Sequence, residues 1–175
     1  MIQRFLFSKK GLIISSVLFV LFIAFVLPYF SVLTANKTNS YFSPDTGFFY
    51  SLDEFYNNME IYGIEGRDFY ILMRWTFDVI WPLVYFSFFI SSLGNLTKKQ
   101  TKKNLTMFLT LPFIGVGFDL LENILATVNV SIYPERTVFL LKLLQVSSLL
   151  KWLFIILAVV SIVYFFVLSL IKKNK

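Results

Sequence analysis

The chain contains neither cysteine nor histidine in 175 residues. These absences remove disulfides, thiol nucleophiles, serine–histidine triads and zinc bound through thiolate or imidazole. Any bound metal would be a hard divalent cation held by oxygen, such as Mg²⁺, Mn²⁺ or Ca²⁺. Acid–base chemistry, if there is any, falls to carboxylates. The sequence also lacks an evident internal repeat, so a lone chain offers little machinery for alternating access unless it forms a homo-oligomer.

What is abundant is apolar surface. Hydrophobic residues make up 57% of the chain, 22 residues are Phe, and the mean hydropathy is +0.73. Four long apolar runs stand out, at 11–33, 69–93, 105–128 and 152–171, and each reaches the roughly 20 residues that cross a bilayer as a helix. Continuous runs without dyad alternation point to helices and away from a barrel. The expected fold is all-α, a single four-helix transmembrane bundle over residues 1–175.

Charge placement gives an orientation. Arg4, Lys9 and Lys10 precede the first run, Lys98, Lys99, Lys102 and Lys103 lie in the connection 94–104, and Lys172, Lys173 and Lys175 close the chain. These are ten of the 16 basic residues, and no acid shares their segments. The positive-inside rule then predicts both termini cytoplasmic and 34–68 as a loop on the outer side. The net charge of +6 thus reflects topology and does not suggest a nucleic-acid partner. The first run exceeds the roughly 7–15 residues of a signal-peptide core and reads as an uncleaved anchor. The setting expected is a bacterial plasma membrane, or the endoplasmic reticulum in a eukaryote, where the final "KKNK" fits a retrieval signal.

The outer loop has its own pattern. "SPDTG" (43–47) is turn chemistry. "SLDE" (51–54) matches a capping box, and Leu52, Phe55, Tyr56, Met59 and Tyr62 follow at helical spacing. This predicts a short amphipathic helix over 52–62, lying on the membrane surface or capping the bundle, with Gly63 and Gly66 ending it. After Pro134, "TVFLLKLLQVSSLLKW" fits either a second interfacial helix or an extension of the fourth span.

The third run holds "GVGFDLLEN" (115–123), which places Asp119, Glu122 and Asn123 on one helix face at i, i+3 and i+4, with Gly115 a turn below. Counted from the cytoplasmic end at 1.5 Å per residue, Asp119 lies roughly 21 Å deep and Glu122 and Asn123 roughly 26–27 Å. On the second run Arg74, Asp78, Trp81 and Tyr85 share a stripe, with Asp78 about 24 Å and Arg74 about 30 Å from the same side. Two helices counted separately therefore put these polar groups in one layer near the outer face. Pro82 lacks the N–H that would bond the carbonyl of Asp78, so that oxygen needs another donor.

A charged residue at the centre of a span costs roughly 2.5–3.5 kcal/mol on insertion scales, and such residues normally face the bundle interior or water. Arg74 against Asp78, Asp119 and Glu122 leaves a local charge of −2. Compensation would come from protonation, from a cation bound by Asp78, Asp119 and Glu122, from a cationic ligand group, from Lys142 or Lys151, or from a cavity open to outside water.

The stretches "GIEGRDFYILMRWTFDVIWPLVYF" (63–86) and "LPFIGVGFDLLEN" (111–123) resemble a family of small, mostly bacterial four-span membrane proteins of unassigned function. The likeness lies in a G-R-x-x-Y motif (Gly66, Arg67, Tyr70), a D-x-x-x-P-x-x-Y motif (Asp78, Pro82, Tyr85) and an F-D-x-x-E-N motif (Phe118, Asp119, Glu122, Asn123). The resemblance implies no activity, but it adds Arg67 and Tyr70 to the candidate site. The leading expectation is a pocket lined by Arg74, Asp78, Trp81, Tyr85, Asp119, Glu122 and Asn123 that binds a membrane lipid or other small amphiphile. The alternatives are an enzyme acting on a lipid-borne substrate and an accessory subunit of a membrane complex.

Overall fold

A computed structural model describes residues 5–44, 47, 49–98 and 102–173, and among them the chain is all-helical. Four helical stretches are long and apolar enough to cross a membrane: Lys9–Thr38, Leu52–Leu96, Thr106–Ser131 and Val138–Ile171.

The first stretch is α1 (Lys9–Leu21), a π-helical turn (Phe22–Val26) and α2 (Leu27–Thr38). Ser8 caps α1 by accepting from the Gly11 N–H at 3.0 Å. The π turn sits just before Pro28, and the Leu27 N–H reaches back five residues to the Phe22 carbonyl. A widened turn of this kind accommodates a proline that has no N–H to donate. Asn39, at φ 53°, ends α2 in the left-handed conformation.

α3 (Leu52–Trp75) starts as its capping box predicts, with the Ser51 hydroxyl accepting from the Glu54 N–H at 3.0 Å. Gly63 (φ 64°, ψ −174°) kinks it, but the helix resumes at once and runs into the second span. Gly66 does not break the helix. A Cβ there would stand 3.1 Å from the Lys37 carbonyl oxygen and 3.2 Å from the Thr38 Cα, so its role is to let the end of α2 come close. The stretch 52–62 packs its apolar face into the protein. Phe55, Tyr56, Met59 and Tyr62 are buried in a cluster with Leu125, Val130, Leu141 and Leu144, so this half of α3 caps the bundle.

The run expected as one span over 69–93 is two helices. α3 stops at Trp75, Thr76 leaves helical geometry (φ −117°, ψ −80°), and α4 (Phe77–Leu96) follows. The Thr76 hydroxyl donates to the Leu72 carbonyl at 2.7 Å and its N–H reaches only as far back as Met73. α5 (Lys102–Ser131) is one helix, and α6 (Val138–Lys173) begins well before 152, so the mixed run after Pro134 extends the fourth span.

α5 and α6 pack most extensively; α1 lies on α4, α2 on α3, and α4 touches both α5 and α6. Among the described residues, no substantial contact joins the first stretch to α6. The bundle is therefore open along one side, and the apolar exteriors of its two flanking spans, such as Phe25 and Phe139, are exposed. Of the residues used to orient the chain, Arg4, Lys99 and Lys175 and the side chains of Lys102, Lys103, Lys172 and Lys173 lie outside the described residues, as do Asp45 and Thr46 of the "SPDTG" turn.

Candidate functional site

The break at Thr76 puts the end of one helix against the start of another. Arg74 occupies the last turn of α3 and Asp78 the first turn of α4, where a cation and an anion respectively suit the helix dipoles. The Arg74 Nη2 to Asp78 Oδ2 distance is 2.7 Å, and the guanidinium also lies 4.7 Å over the Tyr70 ring. The Trp75 indole crosses to the Thr127 hydroxyl at 2.9 Å and ties the break to α5.

The carbonyl that Pro82 leaves without a helical donor is met from the neighbouring helix. Asn123 Nδ2 donates to the Asp78 oxygen at 3.0 Å, and Asn123 is completely buried. An amide on one helix thus supplies the donor that a proline on its neighbour withholds.

The remaining acids belong to a second group. The Tyr85 hydroxyl donates to Asp119 Oδ2 at 2.8 Å. Lys151 Nζ stands 3.7 Å from Asp119 Oδ1 and donates to Glu122 Oε2, while the Ser148 hydroxyl donates to Glu122 Oε1. Glu122 and Ser148 have no exposed surface, and Lys151 and Asp119 are 6% exposed. Among the described residues the network has three carboxylates (Asp78, Asp119, Glu122) and two cations (Arg74, Lys151), a formal charge of 2 − 3 = −1.

Both groups meet a cavity of about 450 Å³ in the opening between the first stretch and α6. Arg74, Asp78, Asp119 and Lys151 form its polar side; Ile23, Leu27, Phe30, Phe77, Trp81, Trp152 and Ile155 form apolar walls; and Ser40, Tyr41, Phe42 and Ser43 lie at one end. Trp81 is held by rings from α1 and the π turn, 5.7 Å from Phe19 and 6.0 Å from Phe22.

The seven residues expected to line one pocket therefore separate. Arg74, Asp78, Trp81 and Asp119 line the cavity, whereas Tyr85, Glu122 and Asn123 stand behind it and hold the lining groups in place. Tyr70 is fully buried beneath Arg74, outside the lining. Arg67 is directed away, with its Nη1 on the Met59 carbonyl at 2.7 Å and its guanidinium 4.4 Å over Tyr133, so it braces the turn before the Gly63 kink. The acids also do not converge as a metal site. No cluster of three or more acids placed to hold a metal ion occurs among the described residues, because the three are divided between Arg74 and Lys151.

Sequence reasoning weighed Lys151 as a counter-charge without making it a site residue, and it missed Ser148 and Trp152. Their signal was the need for a cation near the acids, combined with "SSLLKW" at helical spacing, which puts Ser148 and Lys151 three residues apart on one face. The contribution of Ile23, Leu27 and Phe30 had no signal, because the first span is apolar on every side. No protein-family model matches the chain, and neither a curated protein nor a solved structure matches it.

Proposed function

We propose that this chain is an integral membrane protein with both termini cytoplasmic, and that it binds a lipid or other small amphiphile in the cavity between its first and last spans. The single observation that carries this reading is the cavity's composition: about 450 Å³, with Arg74, Asp78, Asp119 and Lys151 set among aromatic and aliphatic walls. That volume lies within the roughly 300–1,000 Å³ of small-molecule sites, which are mostly apolar with a few fixed polar groups. The opening between two spans that do not pack together supports entry from the hydrocarbon phase. The clustering of lysine and arginine in the terminal and 94–104 segments supports the orientation.

A second reading, an accessory subunit whose polar cluster fixes helix packing, is favoured by one observation: Lys151 and Asn123 each join two helices through bonds that need no ligand. Native mass spectrometry of gently extracted protein separates the two. Binding predicts a discrete amphiphile adduct on the unmodified chain that is missing from folded Asp119→Asn/Glu122→Gln protein. Folded, bare protein in both samples contradicts binding and supports the packing role.

A further inference from the structure

We infer that the cavity selects amphiphiles whose headgroup carries a positive charge on nitrogen, an inference that rests on the amphiphile-binding reading above. The first step is the disposition of the two basic side chains. Arg74 is bonded to Asp78 at 2.7 Å and stacked on Tyr70, and Lys151 serves Asp119 and Glu122 together. Both cations are engaged by carboxylates, so an anionic headgroup would have to displace a buried carboxylate to reach either one. Such a displacement leaves a buried charge without its counter-ion, which is strongly unfavourable away from water.

The second step is the charge of the described part of the network. It has three carboxylates against two basic side chains, an excess that favours a cation over an anion. The attraction is strong because the groups are largely buried, with Lys151 and Asp119 each 6% exposed.

The third step is position. Of the two acids that share Lys151, Glu122 is sealed behind Ser148 and Lys151, whereas Asp119 lines the cavity. Its Oδ2 accepts from the Tyr85 hydroxyl at 2.8 Å and its Oδ1 stands 3.7 Å from Lys151 Nζ, at the polar edge of the cavity. The same cavity is walled by Trp81, Trp152 and Phe77. Indole and phenyl faces attract ammonium groups, with Trp the strongest of the side chains. A carboxylate and aromatic rings lining one cavity, among them Trp152 with the Lys151 ammonium already 5.6 Å from its ring centre, form a receptor for an ammonium ion attached to an apolar chain that extends along Ile23 and Leu27.

The test compares headgroups on one chain length. Purified protein in nanodiscs of neutral lipid is loaded with an amphiphile brominated near its headgroup, and indole fluorescence quenching reports occupancy. Dodecyltrimethylammonium, dodecylamine, dodecyl sulfonate and dodecyl glucoside then compete. We expect the two cationic competitors to bind about tenfold or more tightly than the glucoside, the scale of a charge-assisted contact, and the sulfonate to bind most weakly. Asp119→Asn should abolish the advantage of the ammonium headgroups over the glucoside. Equal binding by all four, or preference for the sulfonate, overturns the headgroup inference while leaving amphiphile binding intact. No quenching by any amphiphile defeats the parent reading as well. The headgroup series on the unmodified chain decides the matter even if the variant does not fold.

Discussion

At the scale of single residues, Lys151 is expected to have a large effect on stability. Its ammonium is the shared counter-charge of Asp119 and Glu122, all three nearly sealed from solvent. Lys151→Met therefore strands two carboxylates and is expected to destabilise the protein by about 3–5 kcal/mol. Adding Glu122→Met to that variant should recover a large part of the loss, because apolar replacements of a buried pair are often tolerated. Unfolding of the three variants in detergent measures both effects. Asn123 and Pro82 form a second coupled pair. Asn123→Leu removes the donor to the Asp78 carbonyl and should cost about 1–3 kcal/mol. Pro82→Ala supplies a helical N–H to that same oxygen, so the Asn123→Leu penalty should shrink by about 1 kcal/mol in the Pro82→Ala background. An unchanged penalty in the double-mutant cycle would show that the two do not serve one carbonyl. The need for a donor at Asp78 was legible in the sequence, because a proline four residues on removes one by covalent structure alone. Lys151's partners were not, since a lysine within a run of leucines does not reveal whether that run is a separate surface helix or the start of a span.

At the scale of elements, glycines separate a strained backbone from a close approach. Gly63 holds φ 64° and a Cβ added there would meet nothing within 4 Å, so Gly63→Ala should cost about 1–3 kcal/mol through backbone strain alone. Gly66 has ordinary helical dihedrals but faces the backbone of Lys37 and Thr38, so Gly66→Ala should loosen α2 from α3. Gly117, in open space on α5, is the control: its alanine variant should be neutral or more stable by about 0.5–1 kcal/mol. Melting temperatures of the three variants check the order. Both breaker glycines looked alike in the sequence because composition does not distinguish a backbone conformation from a packing contact. The break at Thr76 had no local signal, since it carries neither glycine nor proline, and the bond of its hydroxyl to the Leu72 carbonyl is of a kind that Ser87 also makes inside an unbroken helix. The faces of α4 and α5 were legible because their polar residues recur at helical spacing. The first span's inner face was hidden, as only Gly11 and Ser15 are buried in α1.

At the scale of the whole molecule, the topology proposed above has four crossings with both termini on the cytoplasmic side, where the basic residues cluster. The absence of cysteine makes the test clean, since any introduced thiol is unique. Phe49→Cys, at a position 88% exposed on the connection 39–51, should react in intact cells with a thiol reagent that cannot cross membranes. Lys98→Cys should react only after permeabilisation, and the reverse pattern would invert the topology. Across the molecule, the central claim is that the opening between the first and last spans holds a ligand while the charged network behind it forms without one. Ser31 lines that opening from an exposed position on α2, away from every bond of the network. Native mass spectrometry of Ser31→Trp beside the unmodified protein tests the claim most directly. An occupied cavity predicts a discrete amphiphile adduct on the unmodified chain and a folded variant that carries none. An adduct retained at full occupancy on the filled variant would contradict it.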